Sequence, residues 1–185
     1  MKLVAIVGMA GSGKSELSKL FENKGYHKIR FGDITEDIIK KKGLDLNEDN
    51  EKKVREGLRK EYGMDAYARH NLPKIQEALQ KHDVIIDGLY SWEEYLFLKE
   101  KFGKNIVVLA IYAQPEERYE RLVDRETRAL TKEQARARDK SEVENLHKAG
   151  PIAMADYTIT NVGTLYDLSE SFEKFMEWMH EEDEI

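Results

Sequence analysis

Residues 8–15 have the types and spacing of a phosphate-binding loop. They match the pattern G-x-x-x-x-G-K-[ST] at every fixed position. The members whose backbone N–H groups are expected to surround phosphate oxygens are Gly8, Gly11, Ser12 and Gly13. Lys14 would supply positive charge to the β- and γ-phosphates, and Ser15 would offer a hydroxyl to Mg²⁺. The alternative is a plain glycine-rich turn. The dinucleotide pattern G-x-G-x-x-G fails because Glu16 occupies its last position. The sequence therefore predicts a P-loop that binds ATP with Mg²⁺.

Asp87 is the second candidate for metal chemistry. It follows an apolar run at residues 84–86 and precedes Gly88, as at the end of a buried strand. Ligands of open α/β sheets bind outside the carboxyl ends of the strands. Beside a P-loop, such an aspartate holds the coordination shell of Mg²⁺, although Asp-Gly is also common turn chemistry. We expect Ser15 and Asp87 to hold the metal.

The elements that must position these residues alternate between apolar runs and helical patterns. The apolar runs predict five strands, at residues 3–7, 27–31, 84–86, 106–112 and 157–160. Helical patterns lie between them, at about 14–23, 34–42, 48–61, 64–81 and 92–102. Further helices are expected from Pro115, from Thr131 to about Lys148, and at the end of the chain. This alternation predicts a parallel sheet with helices on both faces.

Length, composition and charge limit the classes of protein to which the chain could belong. A chain of 185 residues predicts one domain. The absence of Cys excludes disulfides and thiolate chemistry and fits a reducing compartment. No apolar stretch reaches the roughly 20 residues of a membrane span, and a net charge of −6 argues against a broad nucleic-acid surface. We expect a cytoplasmic monomer or homodimer that binds small molecules.

Three motifs together resemble the nucleoside monophosphate kinase family: the P-loop, Gly32-Asp33 after the second strand, and Asp87-Gly88 after the third. The whole chain resembles the adenylate-kinase-related proteins of that superfamily. Its residues 155–157 and 161–165 are similar to the ending of dephospho-CoA kinases. Residues 130–133, with the Arg-rich helix after them, are similar to the same enzymes.

The resemblance implies a three-layer α/β/α P-loop kinase fold with a five-stranded parallel sheet in the order 2-3-1-4-5. It implies one kinase domain over 1–185, an acceptor-binding helical insertion at about 33–82 and a mobile lid at about 125–149. The implied activity is Mg²⁺-assisted phosphoryl transfer from ATP to a small nucleotide-type acceptor.

The identity of the acceptor stays open between two alternatives. A nucleoside monophosphate is the first expectation. Dephospho-CoA is the runner-up, and its hydroxyl would need Asp33 as a base. A nucleotide-binding NTPase or switch module without kinase activity is a third possibility.

Arginines near the implied lid are candidates for neutralising charge on the transferring phosphoryl group, because guanidinium is planar and bidentate. The lid candidates are Arg125, Arg128, Arg136 and Arg138, with Arg125 the first choice and Arg128 the second catalytic candidate. By resemblance, Arg121 and a loop with Asn161 and Gly163 hold the nucleotide. The alternatives are surface ion pairs for the arginines, and a turn with Thr164 as a helix cap for the loop.

The implied acceptor site departs from the family pattern. Nucleoside monophosphate kinases usually clamp the acceptor phosphate with two arginines, where this chain has Glu36 and Tyr90. We expect Arg59 or Arg69 to replace the clamp if the acceptor is a monophosphate. The acceptor candidates are Asp33, Arg59, Arg69, Gly88 and Tyr90. Asp33 could instead cap a helix, and the arginines could lie on a solvated helix face.

Overall fold

The structure, a computed structural model, describes residues 1–126 and 128–183. Its strands are β1 (Leu3–Val7), β2 (His27–Arg30), β3 (Val84–Asp87), β4 (Ile106–Tyr112) and β5 (Tyr157–Thr160). Its helices up to β4 are α1 (Lys14–Asn23), α2 (Asp33–Lys41), α3 (Glu48–Tyr62), α4 (Ala66–Ala78) and α5 (Trp92–Phe102). The helices after β4 are α6 (Pro115–Val123), α7 (Lys132–Glu144), α8 (Ala149–Ala153) and α9 (Leu165–Asp183).

The five strands form one parallel sheet in the order β2-β3-β1-β4-β5. The predicted α/β class and strand order are therefore confirmed. β1 lies at the centre, with Leu3 opposite Val84 on one side and Ile106 on the other. All five residues of β1 are buried because helices cover both faces. The P-loop therefore begins at the carboxyl end of the most enclosed strand.

Two apolar layers hold the helices against the sheet. Helices α2 to α5 pack on one face, where Ile39, Leu58 and Ile75 are buried against β1 and β3. Helices α1 and α9 pack on the other face, where Phe21 contacts Phe172 edge to face at 4.8 Å. A smaller cluster of Ala10, Tyr119, Leu122 and Ala135 joins α6 and α7 to the P-loop. Across the described residues, no helix is long and apolar enough to cross a membrane.

The predicted helix from Thr131 to about Lys148 is shorter than expected. Thr131 and Gln134 form the predicted capping box, but α7 ends at Glu144. His147 then adopts a left-handed φ of 52°, and the Lys148 N–H donates to the Glu142 carbonyl at 3.1 Å. The chain turns here and begins the short α8. This turn brings Lys148 back to the end of α7, with consequences for the site.

Candidate active site

The P-loop connects β1 to α1 and requires glycine at its closest approaches. Gly11 has a φ of 79°, and a Cβ there would lie 2.6 Å from the Arg118 carbonyl oxygen. Gly13 has a φ of 106°, and a Cβ there would collide with the Asn161 amide. Both positions combine left-handed backbone with a lack of space, so an L side chain cannot be accommodated. The loop is thereby held between α6 and the segment after β5.

Lys14 lies at the first position of α1 and points back over the loop. Its Nζ donates to the carbonyl oxygens of Gly8 and Met9, at 2.9 Å each. Desolvation of the ammonium lowers the pKa of Lys14 to about 7, and the positive charge of Lys148 acts in the same direction. An anion at this position would stabilise the charged form. Lys14 is therefore held over the loop with a pKa that an anion would raise.

Asp87 and Ser15, the predicted magnesium ligands, lie on elements next to the P-loop. Asp87 ends β3 and pairs in register with Ile6, next to the start of the P-loop. Ser15 is exposed in the first turn of α1. Among residues 1–126 and 128–183, no three acidic, His or Cys side chains form a metal-binding group. Mg²⁺ commonly uses one or two carboxylates together with substrate phosphates and water. The residues present thus fit Mg²⁺ that arrives with a nucleotide.

Arg118 ties α7, which lies in the predicted lid, to the P-loop, a role that sequence analysis missed. Its side chain is buried and donates through Nη1 to the Ala10 carbonyl at 3.0 Å. The guanidinium also pairs with Asp139 of α7, with Nη2 at 2.6 Å from Oδ2. The available signal was the position of Arg118 one helical turn before Arg121, on the same side of α6.

The lid arginines are divided between open and paired positions. Arg125 is exposed, and partial desolvation and the nearby charge of Arg138 lower its pKa. Within the described residues, Arg125 has no carboxylate partner. Arg128 instead donates to Glu51 of α3 at 2.7 Å, and Arg136 pairs with Glu116 at 3.0 Å. Arg138 acts electrostatically on Arg125 but is itself paired with Glu142. Three of the four arginines therefore have the ion-pair arrangement, and Arg125 differs from them.

Lys148 and Glu142 form a buried ion pair, to which the half-exposed Arg138 is joined. All three act electrostatically on Lys14, and sequence analysis found only the arginine. The Lys148 Nζ is 2.8 Å from Glu142 Oε2, and the Arg138 Nε is 3.0 Å from Glu142 Oε1. Burial alone would raise the pKa of Glu142, but its two cationic partners lower it to about 2. Glu142 is therefore anionic and holds two cations close to the P-loop.

The segment after β5 contacts the P-loop directly. The Asn161 Nδ2 donates to the Ser12 carbonyl at 2.8 Å, and Arg121 Nη2 donates to the Asn161 carbonyl at 3.0 Å. Gly163 lies in the turn that precedes α9, where Thr164 and Asp167 hydrogen-bond reciprocally. Arg121 and Asn161 are thus brought to the loop. Gly163 adopts the turn arrangement, which is compatible with contact to a base.

On the acceptor side, Arg30 lies where sequence analysis expected no cation. Its guanidinium pairs with Asp33 at 2.7 Å and with Glu36, and it lies within electrostatic range of Tyr90. The Tyr90 ring lies so close to Gly88 that a Cβ at Gly88 would be 2.6 Å from it. Arg30 therefore offsets the charge of Glu36. The contact of Arg30 with Glu36 became evident only from the fold, because Arg30 lies on β2, outside the predicted helical insertion.

The two predicted replacement arginines have different surroundings. Arg59 lies 5.2 Å from the centroid of the Tyr67 ring, and its Nε is buried without a partner in the described part of the chain. Arg69 is exposed, pairs with Asp65 at 2.7 Å and lies over the Phe97 ring. Arg59 therefore retains unused donor capacity, whereas Arg69 is engaged on its own helix.

Glu94 adds a buried acid to the same side, which sequence analysis also missed. Its side chain is fully buried, and Oε2 accepts from the Tyr90 N–H at 2.8 Å. Burial raises the pKa of Glu94 to about 7 against the opposing effects of that hydrogen bond and of Arg59. Glu94 Oε1 has no hydrogen-bond partner in residues 1–126 and 128–183. In the sequence, Ser91 and Glu94 have the spacing of a helix cap, which gives no sign that the carboxyl group is buried.

Comparison with known proteins identifies the family of this chain. A family model described as an AAA domain matches residues 4–147. The UPF0200 protein of Thermococcus kodakarensis is 34% identical over 179 residues, which cover 95% of this chain and 96% of that protein. The chain belongs to the AAA-domain and UPF0200 families. The similarity to this relative thus extends over nearly the whole fold.

Solved structures similar to this UPF0200 protein include small-molecule kinases. A shikimate kinase from Bacteroides thetaiotaomicron has a TM-score of 0.62 at 11% identity, and covers 97% of this chain and 98% of its own. A dephospho-CoA kinase from Campylobacter jejuni has a TM-score of 0.58 at 17% identity, and covers 99% and 100%. Identities this low show the fold alone. The fold is that of P-loop kinases.

Proposed function

We propose that this protein transfers the γ-phosphoryl group of ATP, with Mg²⁺, to a small nucleotide-type acceptor, and that the acceptor is a nucleoside monophosphate. The observation that carries the proposal is the group of cations around the P-loop. Arg138 and Lys148 act electrostatically on Lys14, whose Nζ lies 2.9 Å from the Gly8 and Met9 carbonyl oxygens of the loop, and Arg125 lies within electrostatic range of Arg138. Phosphoryl transfer depends on positioning and charge neutralisation more than on a protein nucleophile. Such a group fits the charge that develops during transfer.

Each candidate residue has a role that its position supports. The loop amides and Lys14 would bind the phosphates of ATP, and Arg121 and Asn161 would lie beside the nucleoside. Ser15 and Asp87 would hold Mg²⁺, which supplies positive charge to the phosphate oxygens. Arg125 would donate to the transferring group, because it is exposed and has no carboxylate partner among the described residues. Arg128 would join it only after leaving Glu51.

Arg59 is the candidate for the acceptor phosphate. It lies beside Tyr67 in the helical insertion, and its buried Nε has no partner among the residues that the structure describes. A phosphate dianion would satisfy that donor. Arg30 supports the same anion by offsetting Glu36. This arrangement favours a monophosphate acceptor, as in the adenylate-kinase-related proteins that the sequence resembles.

Dephospho-CoA is the second candidate acceptor. The similar dephospho-CoA kinase fold extends over 99% of this chain. Glu36 and Asp33 add negative charge near Tyr90, which disfavours a phosphate dianion more than a neutral hydroxyl. Asp33 is exposed at the start of α2 and would then act as the base.

A single assay separates these possibilities. The protein is incubated with ATP, Mg²⁺ and each of several nucleoside monophosphates or dephospho-CoA, and both ADP and the phosphorylated acceptor are measured. We expect ADP formation to depend on a monophosphate. Lys14→Ala should abolish it without changing the unfolding temperature. Lys19→Ala should not, because Lys19 lies exposed on the same helix and, within the described part of the chain, pairs only with Glu16. ADP formation that no acceptor increases would identify an NTPase instead.

A further inference from the structure

Lys148 is buried to a degree that is unusual for lysine. Its exposed fraction is 1%, and it follows the turn between α7 and α8. Lysine is almost never fully buried unless it is paired, because removal of an ammonium from water is costly. Here Glu142 provides the counter-charge at 2.8 Å, and the Nζ also lies 5.1 Å from the centroid of the Tyr90 ring. Cation–π contact with that ring adds modest stabilisation.

The ammonium of Lys148 is not fully satisfied by these contacts. An ammonium has three N–H donors, and within residues 1–126 and 128–183 the structure gives Lys148 one acceptor, Glu142. The buried Arg118 nearby differs, since its guanidinium donates to Ala10, Ala113 and both oxygens of Asp139. Arg118 is therefore a completed structural contact, whereas Lys148 retains donors for a ligand.

The position of Lys148 identifies the kind of ligand. Among charged side chains, Lys148 has the largest effect on Lys14, and it acts against the charged form of that lysine. Two ammonium groups within electrostatic range of each other repel, and a polyphosphate bound between them would convert this repulsion into attraction on both sides. The contacts of Lys148 lead to the same place. The Tyr90 ring under its ammonium lies against Gly88, and the preceding residue, Asp87, pairs in register with Ile6 just before the P-loop.

We propose that Lys148 is a second phosphate-binding lysine, which together with Lys14 donates hydrogen bonds to the γ-phosphoryl group of bound ATP. The inference rests on the proposed function, because it requires ATP at the P-loop. Glu142 is the positioning residue: it holds Lys148 at the end of α7 and yields part of its ion pair when the phosphate arrives. Lys148 thereby makes the lid sensitive to the third phosphate of the nucleotide.

The test compares the affinities of the full-length protein for ATP and ADP, each with Mg²⁺, by titration calorimetry. Lys148→Met should weaken ATP binding about tenfold or more and change ADP binding less than about twofold, as expected for loss of a hydrogen bond to a charged group. Lys99→Met is the matched control. Lys99 also forms an ion pair, at 2.9 Å to Asp156, but away from the lid helix. It should leave the ratio of the two affinities unchanged.

A purely structural ion pair predicts a different result. Replacement of both members of a buried pair by apolar residues is often neutral for stability, whereas removal of one member is costly. The double variant Lys148→Met with Glu142→Leu should therefore recover the unfolding temperature and still lack the preference for ATP. Arg138 remains as a partner for Glu142 in the single variant, which keeps that variant foldable.

The outcomes are distinguishable. If the wild type binds neither nucleotide, the proposed function is wrong, and this inference falls with it. If the wild type binds ATP, and both Lys148→Met and the double variant keep the wild-type ratio of ATP to ADP affinity, the proposed function stands and Lys148 is structural only. The role proposed for Lys148 would also be overturned if the double variant regained both its unfolding temperature and its preference for ATP.

Discussion

At the scale of single residues, the protonation of Lys14 is open to direct measurement. In the protein without nucleotide, burial and then Lys148 lower its pKa to about 7, so the neutral amine predominates above that pH. Bound phosphate favours the ammonium. At about pH 8, Lys14 should therefore take up a proton when ATP binds. The affinity for ATP should fall as the pH rises above 7. The other charged groups around Lys14 are Glu142, Asp87 and Arg138.

Calorimetry of ATP binding in buffers of different ionisation enthalpy would count this proton. Lys14→Met should remove the uptake. An unchanged proton count in that variant would assign the titration to another group and contradict the placement of Lys14.

Asp87 is expected to control the requirement for Mg²⁺. Asp87→Asn keeps the shape of the side chain and removes its charge, so a much higher Mg²⁺ concentration should be needed for half-maximal turnover. Asp83→Asn is a control at the opposite end of β3, where Asp83 accepts a hydrogen bond from the Lys2 backbone. Equal Mg²⁺ titrations for the wild type and Asp87→Asn would reduce Asp87 to a turn residue.

Arg59 is expected to bind the acceptor. Arg59→Ala should weaken acceptor binding by about 2–3 kcal/mol, as for loss of a charge-assisted hydrogen bond, and should leave the KM for ATP unchanged. Arg69→Ala serves as the control, because Arg69 is exposed and paired with Asp65. An acceptor KM that neither variant raises would overturn the monophosphate assignment and place dephospho-CoA first, with Asp33 as its base.

At the scale of elements, the packing of α7 against the P-loop should depend on the ion pair between Arg118 and Asp139. Asp139→Asn would leave the buried guanidinium without a counter-charge and should destabilise the protein by about 3 kcal/mol. Turnover should also fall, because α7 carries Arg138. Urea unfolding and steady-state kinetics would measure the two effects.

Arg136→Ala is the matched control for that variant. Arg136 and Glu116 also join α7 to α6, but their side chains are 59% and 61% exposed. An exposed pair contributes about 1 kcal/mol or less. If Asp139→Asn were as mild as Arg136→Ala, the lid would be held by its apolar contacts and not by Arg118.

The strands could be predicted because buried parallel strands are continuous apolar runs, and the predicted 106–112 is the observed β4. The order of the sheet came from the resemblance. The predicted helix to Lys148 was wrong in extent because the backbone turn at His147 has no marker such as glycine or proline. The pairing of Lys148 with Glu142 was missed for the same reason, because it depends on that turn.

The P-loop of the candidate site could be predicted because its function lies in contiguous residues. Arg30 and Arg118 could not, because their partners are determined by packing. Arg30 meets Glu36 only after β2 and α2 fold together, and Arg118 meets Asp139 across two helices. In a chain with 30 Lys and Arg residues, spacing alone does not show which cations turn inward.

At the scale of the whole molecule, the distribution of charge matters more than its sum. The net charge is −6, yet Lys14 in the P-loop lies within electrostatic range of two further cations, Arg138 and Lys148, with Glu142 and Asp87 as the acidic groups. Arg125 lies within the same range of Arg138. An acidic exterior disfavours nucleic acids. A local group of cations still attracts a small anion, because it acts at short range.

The order of the sheet also bears on how copies of the protein behave when crowded. β2 lies at one edge, and its outward residues Lys28 and Arg30 carry ion pairs with Glu22 and Asp33. β2 and β5, at the two edges, have only four residues each. Short edge strands resist pairing with another chain, and on β2 the charges would also have to be stripped of water. The arrangement thus opposes sheet extension from one molecule to the next and favours dispersal over fibrous aggregation at high concentration.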